Sequence, residues 1–166
     1  MDNDLDIKLY NEYLNGEKKA FELLYNKYKN KIQYFIFNIV KDYEKSEDLT
    51  QEVFIYILQN KLRENCSFKY YIYLVAKSRA YNYINMEKRR TELNELYLSQ
   101  EDENIYKDIS EIIIRKDNQQ KVIEAINKLN DKYRNAIYLV KIEELSYKEV
   151  SQILRRNNRK YKSVSS

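Results

Sequence analysis

Phe21, Leu24, Tyr25, Tyr28, Ile32, Phe35, Ile36 and Ile39 follow one another mostly at three- and four-residue steps. Steps of that size put every one of these side chains on one face of an α-helix, because the helix turns once in ~3.6 residues. The spacing predicts a helix from about Glu17 to Val40, with an apolar face too wide to be left in water. Such a helix needs covering elements, and the composition says of what kind. The 166 residues contain one Gly and no Pro, so the usual punctuation of hairpins and tight turns is missing. The chain therefore reads as all-α.

The same period finds the companions. Ile7, Tyr10 and Leu14 share a face of a short helix over Leu5 to Leu14, ended by Gly16, which adopts a left-handed stop at little cost. Ser46, with Asp48 close behind, has the chemistry of a helix start: a hydroxyl to accept an orphan N–H and carboxylates at the positive end of the dipole. Leu49, Val53, Phe54, Ile57 and Leu58 then face a core. After a polar connector, Arg63 to Ser67, a helix from about Phe68 to Glu87 buries Phe68, Ile72, Val75, Ala76, Ala80, Tyr83 and Ile84. These elements make one helical bundle over residues 1–90. Residues 91–117 are acidic, without a sustained stripe before Ile112, and read as a linker with some helix.

A second unit spans residues 118–154. Val122, Ile123, Ile126 and Leu129 form one apolar face, and Tyr133, Ala136, Ile137 and Val140 the next, after a break at Asn130 and Asp131. Ser146 and Glu149 then stand at capping-box spacing ahead of Val150, Ile153 and Leu154. Two helices, a short turn and a capped third read as the start of a helix-turn-helix.

Functional chemistry concentrates between Ser46 and Arg90. On the first helix of that stretch Asp48, Gln51, Glu52 and Gln59 point away from the core. They are either a face for a partner or a solvated start whose carboxylates favour the helix dipole. On the second, Lys69, Lys77, Arg79, Tyr81, Asn82, Lys88, Arg89 and Arg90 oppose the apolar side. Rings among cations suit unpaired nucleic acid, since rings stack on bases and cations neutralise phosphates.

The run Asp48-Leu49-Thr50-Gln51-Glu52-Val53-Phe54, followed by Phe68-Lys69-Tyr70-Tyr71-Ile72-Tyr73-Leu74-Val75-Ala76-Lys77, resembles the second region of extracytoplasmic-function (ECF) sigma factors, small specificity subunits of bacterial RNA polymerase. Leu14-Asn15-Gly16-Glu17 through Leu24-Tyr25 is similar to that family's opening region. Leu129 through Tyr133-Arg134, then Glu144-Leu145-Ser146-Tyr147 and Ile153-Leu154, resembles its fourth region, which binds the minus-thirty-five promoter element. The resemblance implies that Asp48, Gln51 and Glu52 contact a coiled-coil clamp of core polymerase. It implies that Lys77, Ser78, Arg79, Tyr81 and Asn82 contact the non-template strand of the minus-ten element, with Lys69 on the same helix. Lys88, Arg89 and Arg90 would meet adjacent duplex phosphates. The loop containing Asn65 would hold a flipped-out base, whose extraction costs a few kcal/mol of stacking and pairing; the alternative is an ordinary helix–helix loop. Ser146, Tyr147 and Lys148 would make weaker contacts to DNA in the fourth region. Ser78 stands where family members often carry Asn, and Asn82 where they often carry Asp, which alters the expected base preference.

After Leu154 the pattern departs from the family. Residues 155–166 are basic and hold no apolar period where a turn and recognition helix are expected. One reading is a tail that binds phosphates without sequence preference. Another is a change of reading frame: if Arg155 and Arg156 are encoded AGG and AGA, Asn157 and Asn158 AAC and AAT, and Ser163 AGT, the frame one base later can read Gly-Glu-Thr-Ile-Glu-Asn-Ile-Lys-Val-Leu-Val, which resembles the missing segment. Either way, direct reading of major-groove base edges at the minus-thirty-five element should be impaired.

Composition bounds the rest. Lys and Arg number 30 against 26 Asp and Glu, so the net charge of +4 is too small to imply nucleic acid without the local clustering. With Cys66 as a single cysteine and no His, neither an internal disulfide nor a thiolate–imidazole metal site can form, and a reducing cytoplasm is the natural compartment. No apolar run approaches the roughly 20 residues of a membrane span, and the acidic opening is unlike a secretory signal. No cofactor or metal is expected, and no catalytic pair, activated nucleophile or phosphate-cradling Gly loop stands out. The expected partners are core RNA polymerase, promoter DNA and an anti-sigma factor. Two rivals remain: a DNA-binding regulator independent of polymerase, and a protein-interaction module acting as a decoy for an anti-sigma factor.

Overall fold

A computed structural model describes residues 2–63, 65–93 and 120–155. Among these residues every regular element is a helix: α1 Asp2–Leu14, α2 Lys18–Val40, α3 Tyr43–Gln59, α4 Phe68–Leu93, α5 Gln120–Asn127, α6 Asp131–Lys141 and α7 Tyr147–Leu154. Most of the expected linker and the tail beyond Arg155 lie outside the described residues.

Helix α2 is the central element. Leu24, Tyr28, Ile32, Phe35 and Ile36 are fully buried, as their spacing requires, and α1, α3 and α4 pack around them. Glu17 caps the helix by accepting from the Lys19 N–H at 3.3 Å. Gly16, at φ +103°, supplies the left-handed turn before it. Aromatic rings join the helices: Phe68 of α4 lies 5.6 Å from Tyr10 of α1 and 5.6 Å from Tyr28 of α2. Asp6 of α1 is buried and accepts from Tyr28 Oη and, at 2.7 Å, from Lys27 Nζ. That carboxylate ties α1 to α2 through charge-assisted hydrogen bonds.

Four local expectations in the N-terminal bundle are corrected. Helix α3 starts one turn early, at Tyr43, because the Asp42 carboxylate accepts from the Lys45 N–H at 2.9 Å; Ser46 is buried inside the helix with its hydroxyl donating to Tyr43 O at 2.6 Å. Leu58 is 43% exposed rather than in the core, since it sits beside the outward arc occupied by Gln59. Leu14, at the end of α1, is likewise open. Helix α4 runs on to Leu93, so the first residues of the expected linker are helical.

The C-terminal helices pack on the bundle, and the buried apolar cluster is continuous across the seam, with Ile123, Ile126, Tyr138, Leu139, Leu145, Val150 and Ile153 added to it. This explains why the end of α2 is buried on nearly every side. Tyr34 and Asn38, one turn apart, meet Asn127 and Asn135 of α5 and α6 through hydrogen bonds of 2.6 and 3.0 Å. The expected break holds: Arg134 reaches back to donate to Asn127 O at 3.1 Å and Leu129 O at 3.0 Å, satisfying carbonyls at and beyond the end of α5. The Ser146–Glu149 capping box is present at α7.

Candidate nucleic-acid interface

Two neighbouring helices, α3 and α4, carry the polar faces. On α3, Asp48, Gln51, Glu52, Ile55 and Gln59 are all exposed and lie along one side, as their three- and four-residue spacing dictates. Ile55, 52% exposed, was not expected there. Its position one heptad after Asp48 was visible in the sequence, but an apolar residue in an amphipathic helix is ordinarily assigned to the core. The result is an acidic, amide-lined strip with an open aliphatic centre, which combines negative charge with exposed apolar surface.

The cations and rings of α4 were expected on one open face, and the structure divides them three ways. At ~100° per residue, Ser78, Tyr81, Asn82 and Asn85 look outward and are exposed. Lys88, Arg89 and Arg90 continue that exposed surface, where Arg90 donates to Glu87 Oε1 at 3.1 Å. Arg79 turns toward α3 and is half-buried, its guanidinium 5.1 Å from the centre of the Tyr56 ring. Lys69 and Lys77 turn the third way, toward the C-terminal helices. Lys77 is buried, its ammonium donates to Arg155 O, and burial pushes its pKa down. Lys69 is half-buried and donates to Glu143 O at 2.8 Å. The expectation of a shared cationic face fails for these two because a unit seventy residues downstream covers that side.

Of the tyrosines starting α4, Tyr73 is fully buried, while Tyr70 and Tyr71 are half-buried. Burial raises the pKa of Tyr71 to about 12 and that of Tyr73 well above the ordinary phenol. Asn65 is exposed in the α3–α4 connector at φ +62°, a conformation Asn tolerates better than most residues. The connector is ordered by its own bonds: Tyr10 Oη accepts from Leu62 N–H at 3.0 Å, and Ser67 Oγ accepts from Tyr70 N–H at 3.1 Å, capping α4. Cys66 is half-buried beside them, its thiol pKa raised by burial.

In the C-terminal unit, Ser146, Tyr147 and Lys148 are exposed, Tyr147 at 80%. The Ser146 hydroxyl is committed locally, accepting from Glu149 N–H at 3.2 Å, while Glu149 Oε2 accepts from Ser146 N–H at 2.9 Å. Tyr147 and Lys148 are left as the open pair. Glu143 went unnoticed in the sequence. It is buried, and Lys31 Nζ of α2 lies 3.3 Å from its Oε1 while Tyr138 Oη donates to the same atom at 3.2 Å. No local signal marks it, because the cation paired with it, Lys31, comes from α2, most of the chain away. Among the described residues no three His, Cys, Asp or Glu side chains gather as a metal site, and no helix is long and apolar enough to cross a membrane.

Comparison with known proteins finds two regions in the same order, the second running past Leu154. Residues 24–90 match the model of sigma-70 region 2, and residues 119–163 match that of sigma-70 region 4. The chain is 33% identical over 87 residues to the RNA polymerase sigma-H factor of Pseudomonas aeruginosa, an alignment covering 51% of this chain and 45% of that protein. The chain thus spans about half the length of the curated relative it matches. Among solved structures it is similar to the sigma factor RpoE of Bartonella quintana, crystallised in complex with the anti-sigma factor NepR. That likeness has a TM-score of 0.54 and 16% identity, and covers 81% of this chain and 82% of that one. At that identity the likeness speaks for the fold. With region 2 on the N-terminal bundle and region 4 on the C-terminal helices, in that order, the chain belongs to the sigma-70 factors of the ECF type.

Proposed function

We propose that this chain binds core RNA polymerase and directs it to promoters, opening the minus-ten element through α4. The observation that carries the reading is the pair of open faces on adjacent helices: Asp48, Gln51, Glu52 and Ile55 on α3, and Ser78, Tyr81, Asn82, Lys88, Arg89 and Arg90 on α4. The first face would grip the polymerase clamp. The second offers a ring and amides to unpaired bases and cations to phosphates. Arg79, held against Tyr56, would support this surface from the side, and Asn65 lies at the tip where an extruded base could be received.

The two units, residues 1–90 and 118–154, would act as separate readers joined by the linker. Region 4 contributes little to sequence reading in this proposal, because residues 155–166 hold no apolar period where a recognition helix is expected. The chain would work in the cytoplasm, without cofactor and without covalent chemistry of its own. The RpoE neighbour was solved with an anti-sigma factor, which supports such a partner here as well. Run-off transcription with purified core polymerase on a promoter library tests the reading. Template-dependent transcripts that disappear with Asp48→Lys/Glu52→Lys support it. DNA binding with no capture of polymerase would replace it with an independent regulator, and anti-sigma capture without transcription with a decoy.

A further inference from the structure

We infer that Glu143 is the hub of a latch that holds the C-terminal unit closed over α4 and withholds Lys69 and Lys77 from any anionic partner. The seam is mixed: beside the apolar cluster that crosses it runs a set of buried polar contacts, Tyr34 to Asn127 at 2.6 Å, Asn38 to Asn135 at 3.0 Å, Asn135 Nδ2 to Phe35 O at 3.2 Å, and the Tyr73 and Tyr138 hydroxyls 3.5 Å apart. Groups of this kind exchange their partners for water when a seam parts, so separation costs less than parting an apolar interface of equal size.

Glu143 sets the balance. Its Oε1 receives the Tyr138 hydroxyl and lies 3.3 Å from the Lys31 ammonium, and its backbone oxygen receives Lys69. Its buried Oε2 accepts no hydrogen bond from the described residues. A carboxylate held in the interior with one oxygen unserved keeps part of its desolvation cost, and opening relieves it by hydration. The closed form is thus held by the ion pair and strained by the same group.

Lys69 and Lys77 are bound there by neutral carbonyls, of Glu143 and Arg155. A phosphate makes a stronger, charge-assisted bond to an ammonium than a carbonyl does. A nucleic-acid backbone would therefore compete for both lysines, at the expense of closure. That last step rests on the proposed role of α4; the latch itself does not.

Lysine acetylation of the full chain, followed by mass spectrometry, tests it. In the wild type Lys69 and Lys77 should react more slowly than exposed Lys88. Glu143→Gln should raise the rates of both by about fivefold or more, leaving Lys88 unchanged and Lys27, held by Asp6, as the report that the bundle is intact. Lys31→Gln removes the pair from the bundle side and decides the matter should Glu143→Gln fail to fold. Rates for Lys69 and Lys77 within about twofold of wild type in a folded variant overturn the latch. A single-stranded oligothymidylate separates the two claims. Tighter binding by the open variant supports both, whereas lysine exposure without oligonucleotide binding in any variant upholds the latch and removes the nucleic-acid reading of α4.

Discussion

Replacing Ile55 by Ala probes the α3 face without touching the fold. The side chain is 52% exposed, so its removal leaves no cavity, and the stability change should stay within about 0.5 kcal/mol. Full burial of an Ile side chain is worth ~1.5–3 kcal/mol. If polymerase covers the half now open, truncation should cost about 1 kcal/mol of binding, which is roughly fivefold in Kd. Reversing Asp48 and Glu52 to Lys should do more, because a basic partner then meets like charge. The assay is a fluorescence-anisotropy titration of labelled chain with core polymerase, with circular dichroism confirming equal helicity. Leu23→Ala is the control: Leu23 is 57% exposed but belongs to α2. Equal small losses for Ile55→Ala and Leu23→Ala, or capture unaffected by the double reversal, would refute the assignment of this face.

Phe68→Ala should cost ~3–5 kcal/mol, because the ring is fully buried between Tyr10 and Tyr28 and joins three helices. Urea unfolding followed at 222 nm measures it, and a loss under about 1 kcal/mol would contradict the packing. Alkaline pH should weaken the fold through its buried phenols. An unfolded tyrosine ionises near pH ~10, whereas Tyr71 is raised to about 12 and Tyr73 and Tyr138 lie well above the ordinary value. Stability is therefore complete below the unfolded pKa and falls as pH rises through the folded one. Melting curves in that window should show a shallower decline for Tyr71→Phe; an unchanged slope would count against its burial.

The helices were legible because their signal is local. A repeat of three and four residues needs nothing beyond the chain itself to define a face, so α2 and the apolar sides of α3, α4 and α7 could be located in advance, as could the start of α2 near Glu17 and the cap at Ser146. Asp42 displaced Ser46 as the cap of α3 because two competent residues stood four apart, and local chemistry did not choose between them. The carboxylate face was legible too, apart from Ile55, whose exposure runs against the rule that aliphatic residues go inside.

What the amino-acid sequence determined by itself was the set of helices, their buried stripes and the likeness to sigma regions in order. Tertiary structure decided which polar residues stay open. Lys69, Lys77 and Arg79 look alike on a helical wheel with Lys88 and Arg89, yet one is sealed under Arg155, one is bonded to Glu143 and one is stacked on Tyr56. The reason is range: a helix period is set by neighbours a turn away, while burial of a polar side depends on what packs there from seventy residues further along, and no local pattern encodes that meeting.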